Sequence, residues 1–95
     1  MPTAARDIVV SNTMGLHARP AMQFVDLANT FESLITVRKE LPEQEPVVAD
    51  GKSVMQMIIL EAAQGTPLRI EADGPDADNA VVALAELFES KFGEE

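Results

Sequence analysis

The stretch RDIVVSNTMGLHARPAMQFVDLANT, Arg6 to Thr30, decides the fold. It opens with Arg6–Val10, short and rich in β-branched residues, which reads as a strand. Ser11–Leu16 (SNTMGL) reads as a loop. Pro20 then falls where a helix can begin, because the missing N–H and fixed φ of proline suit the first turn. Ala21, Phe24, Val25 and Ala28 follow at helical spacing, and Asn29 and Thr30 close the helix.

Working outward, Leu34–Arg38 predicts a second strand and Pro46–Ala49 a third. The polar turn Lys39–Glu45, holding Pro42, joins them as a hairpin with a long connection. Asp50-Gly51-Lys52 breaks the third strand. Ser53 and Gln56 have capping-box spacing at the head of a nearly all-apolar helix, Val54–Leu60, with Gly65 as its expected stop. Pro67–Ala72 alternates Leu68, Ile70 and Ala72 against Arg69 and Glu71, a half-buried strand. Asp76 can cap a last helix, with Asp78 in its first turn. Ala77, Val81, Leu84, Ala85, Phe88 and Phe92 line its inner face, Lys91 falls in its last turn and Gly93 ends it. Glu94 and Glu95 are expected to form a solvated tail. The order β-α-β-β-α-β-α implies one sheet with helices on one face, an α+β two-layer sandwich.

The chain has 95 residues, enough for a single domain over 1–95. It has no cysteine and one histidine, which removes disulfides, thiolate chemistry and His- or Cys-based metal centres. Seven basic residues face sixteen acidic ones, a net charge of −9. That balance disfavours nucleic acid and anionic membranes as partners. The only aromatics are four Phe, so no base-stacking platform is evident. No apolar run reaches the roughly 20 residues of a membrane helix, and the N-terminus lacks a signal-peptide core. The expectation is a cytoplasmic monomer without cofactor or metal.

The lone histidine sits in Gly15-Leu16-His17-Ala18-Arg19-Pro20. Gly15 permits a tight loop. His17 then lies beside the unpaired N–H groups of a helix start, with the guanidinium of Arg19 two residues on. Helix N-termini and arginine both bind phosphoryl oxygens. A neutral imidazole nitrogen is a competent nucleophile. The segment therefore suits a histidine that takes and gives a phosphoryl group. The plainer alternative is a polar surface residue or a helix cap. Elsewhere, Asp73-Gly74-Pro75-Asp76-Ala77-Asp78 is a turn and cap, not a calcium loop: its twelfth position is Leu84. Met55 and Met57 read as packing and docking residues.

GLHARPA at Gly15–Ala21 resembles the active-site signature of HPr, the histidine phosphocarrier of the bacterial phosphotransferase system. DGKSVMQMIIL at Asp50–Leu60 resembles that family's second signature, around a regulatory serine. The resemblance spans about residues 6–92. It implies an open-faced sandwich, a four-stranded antiparallel sheet with three helices on one face. His17 matches the histidine phosphorylated at Nδ1 by enzyme I, and Arg19 the arginine that assists transfer. Ser53 matches the serine modified by HPr kinase/phosphorylase. Leu16, Val54, Met55 and Ile58 match partner-docking positions, with Met57 and Leu60 expected inward and Met55 outward. The implied partners are enzyme I and an enzyme IIA-type acceptor.

Two departures stand out. Where family members often carry lysines, this chain has Asp26, Asn29 and Gln56, leaving Arg19 and Lys52 as the expected cations near the site. The Lys39–Glu45 turn is also longer than usual. Two readings follow: a carrier working through His17, or a regulatory binding protein working mainly through Ser53.

Overall fold

The computed structural model describes residues 2–93. Strand β1 (Thr3–Val9) is followed by helix α1 (Ala18–Ala28), strands β2 (Leu34–Lys39) and β3 (Val47–Asp50), helix α2 (Val54–Ile59), strand β4 (Pro67–Asp73) and helix α3 (Ala77–Glu89). A short 3-10 turn, Lys91–Gly93, ends the described chain. The strands form one antiparallel sheet in the order β1-β4-β2-β3. The last strand thus enters between the first two, with Ile70 opposite Arg6 on one side and Val37 on the other. The expected hairpin is β2–β3, in register Val37↔Ala49.

Alternation decides which face is covered. Ile8, Ile35, Val37, Leu68, Ile70 and Ala72 point to the helices and are buried. The inner faces of α1 and α3 meet them, and Phe24, Phe88 and Phe92 stack edge to face at the centre, with centroids 5.8 and 4.8 Å apart. Each such ring contributes roughly 1.5–3 kcal/mol by leaving water. The outer sheet face is wet. There Arg38 and Arg69 lie directly opposite each other, and the Glu71 carboxylate sits between them at 3.5 and 3.6 Å.

Several expectations need correction. β1 starts at Thr3, before Arg6, because pairing with β4 imposes the strand on Thr3-Ala4-Ala5 whatever their propensity. α1 starts at Ala18, with Pro20 in its first turn, where a missing N–H costs nothing. α2 stops at Ile59, and Glu61 adopts a left-handed φ of 51°. Gly65 does not cap α2; its N–H bonds the Val10 carbonyl at 2.7 Å and turns the chain into β4. Asp76 heads α3 but makes no side-chain cap bond. Its carboxylate reaches across to accept from the N–H groups of Glu32 (2.8 Å) and Ser33 (3.0 Å) and from the Ser33 hydroxyl. These bonds hold its pKa below the usual carboxylate range, the Ser33 hydroxyl contributing most. Lys91 lies outside α3, which ends at Glu89; left-handed φ values at Lys91 and Phe92 fold Phe92 back onto Phe88. The expected Glu94–Glu95 tail lies outside the described residues. Among the described residues, no helix is long and apolar enough to cross a membrane.

Candidate functional site

His17 is the N-cap residue of α1, with extended backbone and no cap bond from its ring. It is half-buried, so one side remains open to solvent. Its carbonyl begins the helix by accepting from Ala21 N–H at 3.0 Å. The N–H groups of Ala18 and Arg19 have no intrahelical acceptor, as in any first turn. No carboxylate lies in that turn. Arg19 is exposed and forms no ion pair among the described residues. A dianion next to the His17 ring therefore meets backbone donors, the positive end of an 11-residue helix and one guanidinium.

The loop before His17 is held from below. Gly15 sits at φ 70°, and a β-carbon there would lie 2.6 Å from the Ala62 carbonyl oxygen and 2.9 Å from Ala63 Cα. Leu16 N–H donates to that same Ala62 oxygen at 2.8 Å, and His17 N–H to Gly15 O at 3.1 Å. Buried Asn12 donates from Nδ2 to the Gly15 carbonyl at 2.7 Å. Beyond α2, the Lys39 ammonium donates to the Leu60 carbonyl, two residues before Ala62. Asn12 and Lys39 are support residues that the sequence reading missed. An Asn three residues before a loop glycine is a local turn signal that could have flagged the first. Nothing local marks Lys39, which reaches α2 from the end of β2.

Ser53 is the N-cap of α2, and its hydroxyl oxygen accepts from Gln56 N–H at 3.3 Å. The capping box is altered. Ser53 N–H already donates to Asp50 O, so the Gln56 side-chain oxygen accepts instead from Asp50 N–H at 2.8 Å. Lys52 is not near His17. Its ammonium donates to the Phe31 carbonyl at 2.8 Å, just past the end of α1. The head of α2 therefore lies by the tail of α1, and the end of α2 by the His17 loop. His17 and Ser53 thus sit at opposite ends of α1, which at 1.5 Å per residue is about 16 Å long.

Of the expected docking residues, Met55 and Ile58 are exposed, Val54 is half-buried and Leu16 is in the core. Met57 and Leu60 are fully buried, as the sequence suggests. Ile59 is a further exposed apolar residue of α2.

This arrangement has counterparts. Residues 4–90 match the family described as "PTS HPr component phosphorylation site". The chain belongs to the HPr family. It is 43% identical over 93 residues to the phosphocarrier protein NPr of Proteus mirabilis, covering 98% of this chain and 99% of that protein. It is 37% identical over 89 residues to the phosphocarrier protein HPr of Xylella fastidiosa, covering 94% of each. A crystal structure of HPr from Thermoanaerobacter tengcongensis superposes with a TM-score of 0.84 at 40% identity, covering 97% of this chain and 98% of that one. This HPr-type chain is a phosphocarrier of the phosphotransferase system, and its working partners are enzymes of that system.

Proposed function

We propose that His17 accepts a phosphoryl group from phospho-enzyme I and passes it to an enzyme IIA-type acceptor in the cytoplasm. The observation that carries this reading is the half-open His17 ring at the head of α1, beside first-turn N–H groups and Arg19. In the transfer, the lone pair of neutral Nδ1 attacks phosphorus. A new N–P bond forms as the bond from phosphorus to the donor breaks, and the donor nitrogen keeps the electron pair. Arg19 and the helix N–H groups stabilise the equatorial oxygens of the moving phosphoryl. The second transfer reverses the roles. The chain is then a carrier whose substrate is its own side chain, not a turnover enzyme. Incubation with phosphoenolpyruvate and the cognate enzyme I should add one phosphoryl group by intact mass, acid-labile and alkali-stable. A His17→Ala variant that still gains the group overturns the assignment.

A second reading makes Ser53 the main control point, with HPr kinase/phosphorylase as partner. Two observations favour a regulatory role: the loss of basic side chains at Asp26, Asn29 and Gln56, and the relatives named NPr alongside those named HPr. A phosphate on Ser53 would add about −1.5 to −2 charge at the head of α2, beside Met55 and about one helix length from His17. It would act on docking and not on the ring. ATP and the cognate kinase should modify the wild type and spare Ser53→Ala; phosphate on any other residue refutes the reading.

A further inference from the structure

We infer that Ser11 is a positioning residue for phosphoryl transfer: its hydroxyl ties the loop that presents His17 to the end of α3 and so fixes the direction of the ring. The inference rests on the carrier reading of His17 and adds a residue outside the Gly15–Ala21 motif. The loop is a stiff unit on two supports. Asn12 and Gly15 close on each other, with Gly15 N–H donating to the Asn12 carbonyl at 3.1 Å and Asn12 Nδ2 to the Gly15 carbonyl at 2.7 Å. His17 N–H donates to the same Gly15 carbonyl at 3.1 Å. A turn closed in this way moves as one piece, and His17 moves with it. Its orientation is set where it joins the rest of the fold, at Leu16 on one side and Ser11 on the other.

Both joints touch one segment, 62–66. Leu16 N–H donates to the Ala62 carbonyl at 2.8 Å, and Gln64 Nε2 donates to the Ser11 carbonyl at 3.1 Å. Val10 N–H donates to the Thr66 carbonyl at 3.0 Å, and its own carbonyl accepts from Gly65 N–H at 2.7 Å. Supports on a single segment leave a motion in which loop and segment shift together. The Ser11 hydroxyl reaches a different layer. It donates to the Phe88 carbonyl at 3.1 Å, 77 residues along the chain. That carbonyl lies in the last turn of α3, where no further helical N–H follows. The acceptor is itself held in place. Lys91 and Phe92 take left-handed φ values of 56° and 55°, which residues with a side chain disfavour. They return the buried Phe92 ring onto Phe88, with centroids 4.8 Å apart. One hydroxyl therefore refers the His17 loop to the core end of α3. Ser11 is half-buried, so water can reach the Phe88 carbonyl when the hydroxyl is removed. The fold then loses little, while transfer, which depends on alignment, loses more.

The test measures phosphorylation of the full chain by the phosphoenolpyruvate-dependent, enzyme I-type donor of the same organism. Ser11→Ala should lower kcat about tenfold, short of the roughly hundredfold that a 1 Å misplacement can cost. KM and the urea melt should match wild type. Ser11→Thr keeps a hydroxyl and should restore the rate. Gln64→Ala, at an exposed side chain, should lower kcat in the same way, because it frees the Ser11 carbonyl. By NMR, the His17 ring resonances should shift or broaden in Ser11→Ala and return in Ser11→Thr, a signature that lost global stability does not give. An unchanged kcat, a loss carried by KM, or a rate that follows only the unfolded fraction overturns the inference. The NMR measurement needs no phosphate and so separates the two readings. A wild type that gains no phosphoryl group sinks the carrier reading, while ring signals that respond to Ser11→Ala still support the hold of Ser11 on His17. Ring signals that ignore the change overturn that hold whether or not transfer occurs.

Discussion

Replacing Gly15 with alanine tests the architecture of the site most directly. The residue adopts φ 70°, and its missing side chain leaves room for the Ala62 carbonyl. An alanine there takes a left-handed conformation, which costs about 1–2 kcal/mol. Its β-carbon would lie 2.6 Å from the Ala62 oxygen, so one of the two must move. The blocking atoms are backbone, so rotamer changes give no relief. Moving them lengthens or breaks the Leu16–Ala62 hydrogen bond, a loss of about 0.5–1.5 kcal/mol. Together these effects predict a destabilisation of about 1.5–3.5 kcal/mol, a drop in Tm on the order of 10–20 °C for a chain this size. Urea melts give the stability, and amide exchange at Leu16 reports the bond itself. Phosphorylation of His17 should slow beyond what the unfolded fraction explains, because the loop that presents the ring has shifted. A Gly15→Ala protein within 0.5 kcal/mol of wild type, with Leu16 still protected, would refute the reasoning.

Arg19→Ala should slow phosphoryl transfer on the order of tenfold to a hundredfold while leaving the melting curve unchanged, since the side chain is exposed; a lost unfolding transition would make Arg19 structural. Asp26→Lys with Asn29→Lys should speed phosphorylation by a donor with an acidic face, most at low salt, and stopped-flow transfer at two ionic strengths would show whether the gain shrinks with screening. Lys39→Met should cost about 1–2 kcal/mol by removing a charged donor from the Leu60 carbonyl and should speed amide exchange at Leu16; Lys39→Arg should recover part of the protection. The depressed pKa of Asp76 makes its contribution fully present above the ordinary aspartate value, about 3.9, and lost as pH falls through the lower folded value. Acid melts of Asp76→Asn should therefore lack that part of the pH dependence, and identical slopes for variant and wild type would contradict the assignment.

How far the sequence reaches can be seen at individual residues. Alternation in Leu68–Ala72 and the 3.6-residue period in Ala77–Phe88 determined the half-buried strand and the inner face of α3, because each pattern arises within one element. The split of Met57 and Leu60 inward from Met55 outward was legible for the same reason. GLHARPA marked His17 as a candidate in the sequence, since a glycine, an imidazole, a cation and a helix start adjoin in the chain. Where an element ends depends on what it packs against. Pairing with β4 drew β1 back to Thr3, and the turn at Glu61 stopped α2 before Gly65. Side chains that bond across the fold escaped local reading. Asp76 has the sequence of a helix cap, yet its carboxylate serves the Glu32–Ser33 loop, 43 and 44 residues away. Lys52 adjoins Ser53 in sequence and looked like part of the rim near His17, but the antiparallel packing of α1 and α2 carries its ammonium to the far end of α1. Lys39 supports the His17 loop only because β2 ends beside the last carbonyls of α2. Local periodicity and adjacency are written in the order of residues; the partners of long polar side chains are chosen by which distant backbone groups folding brings within about 3 Å and leaves in need of a bond.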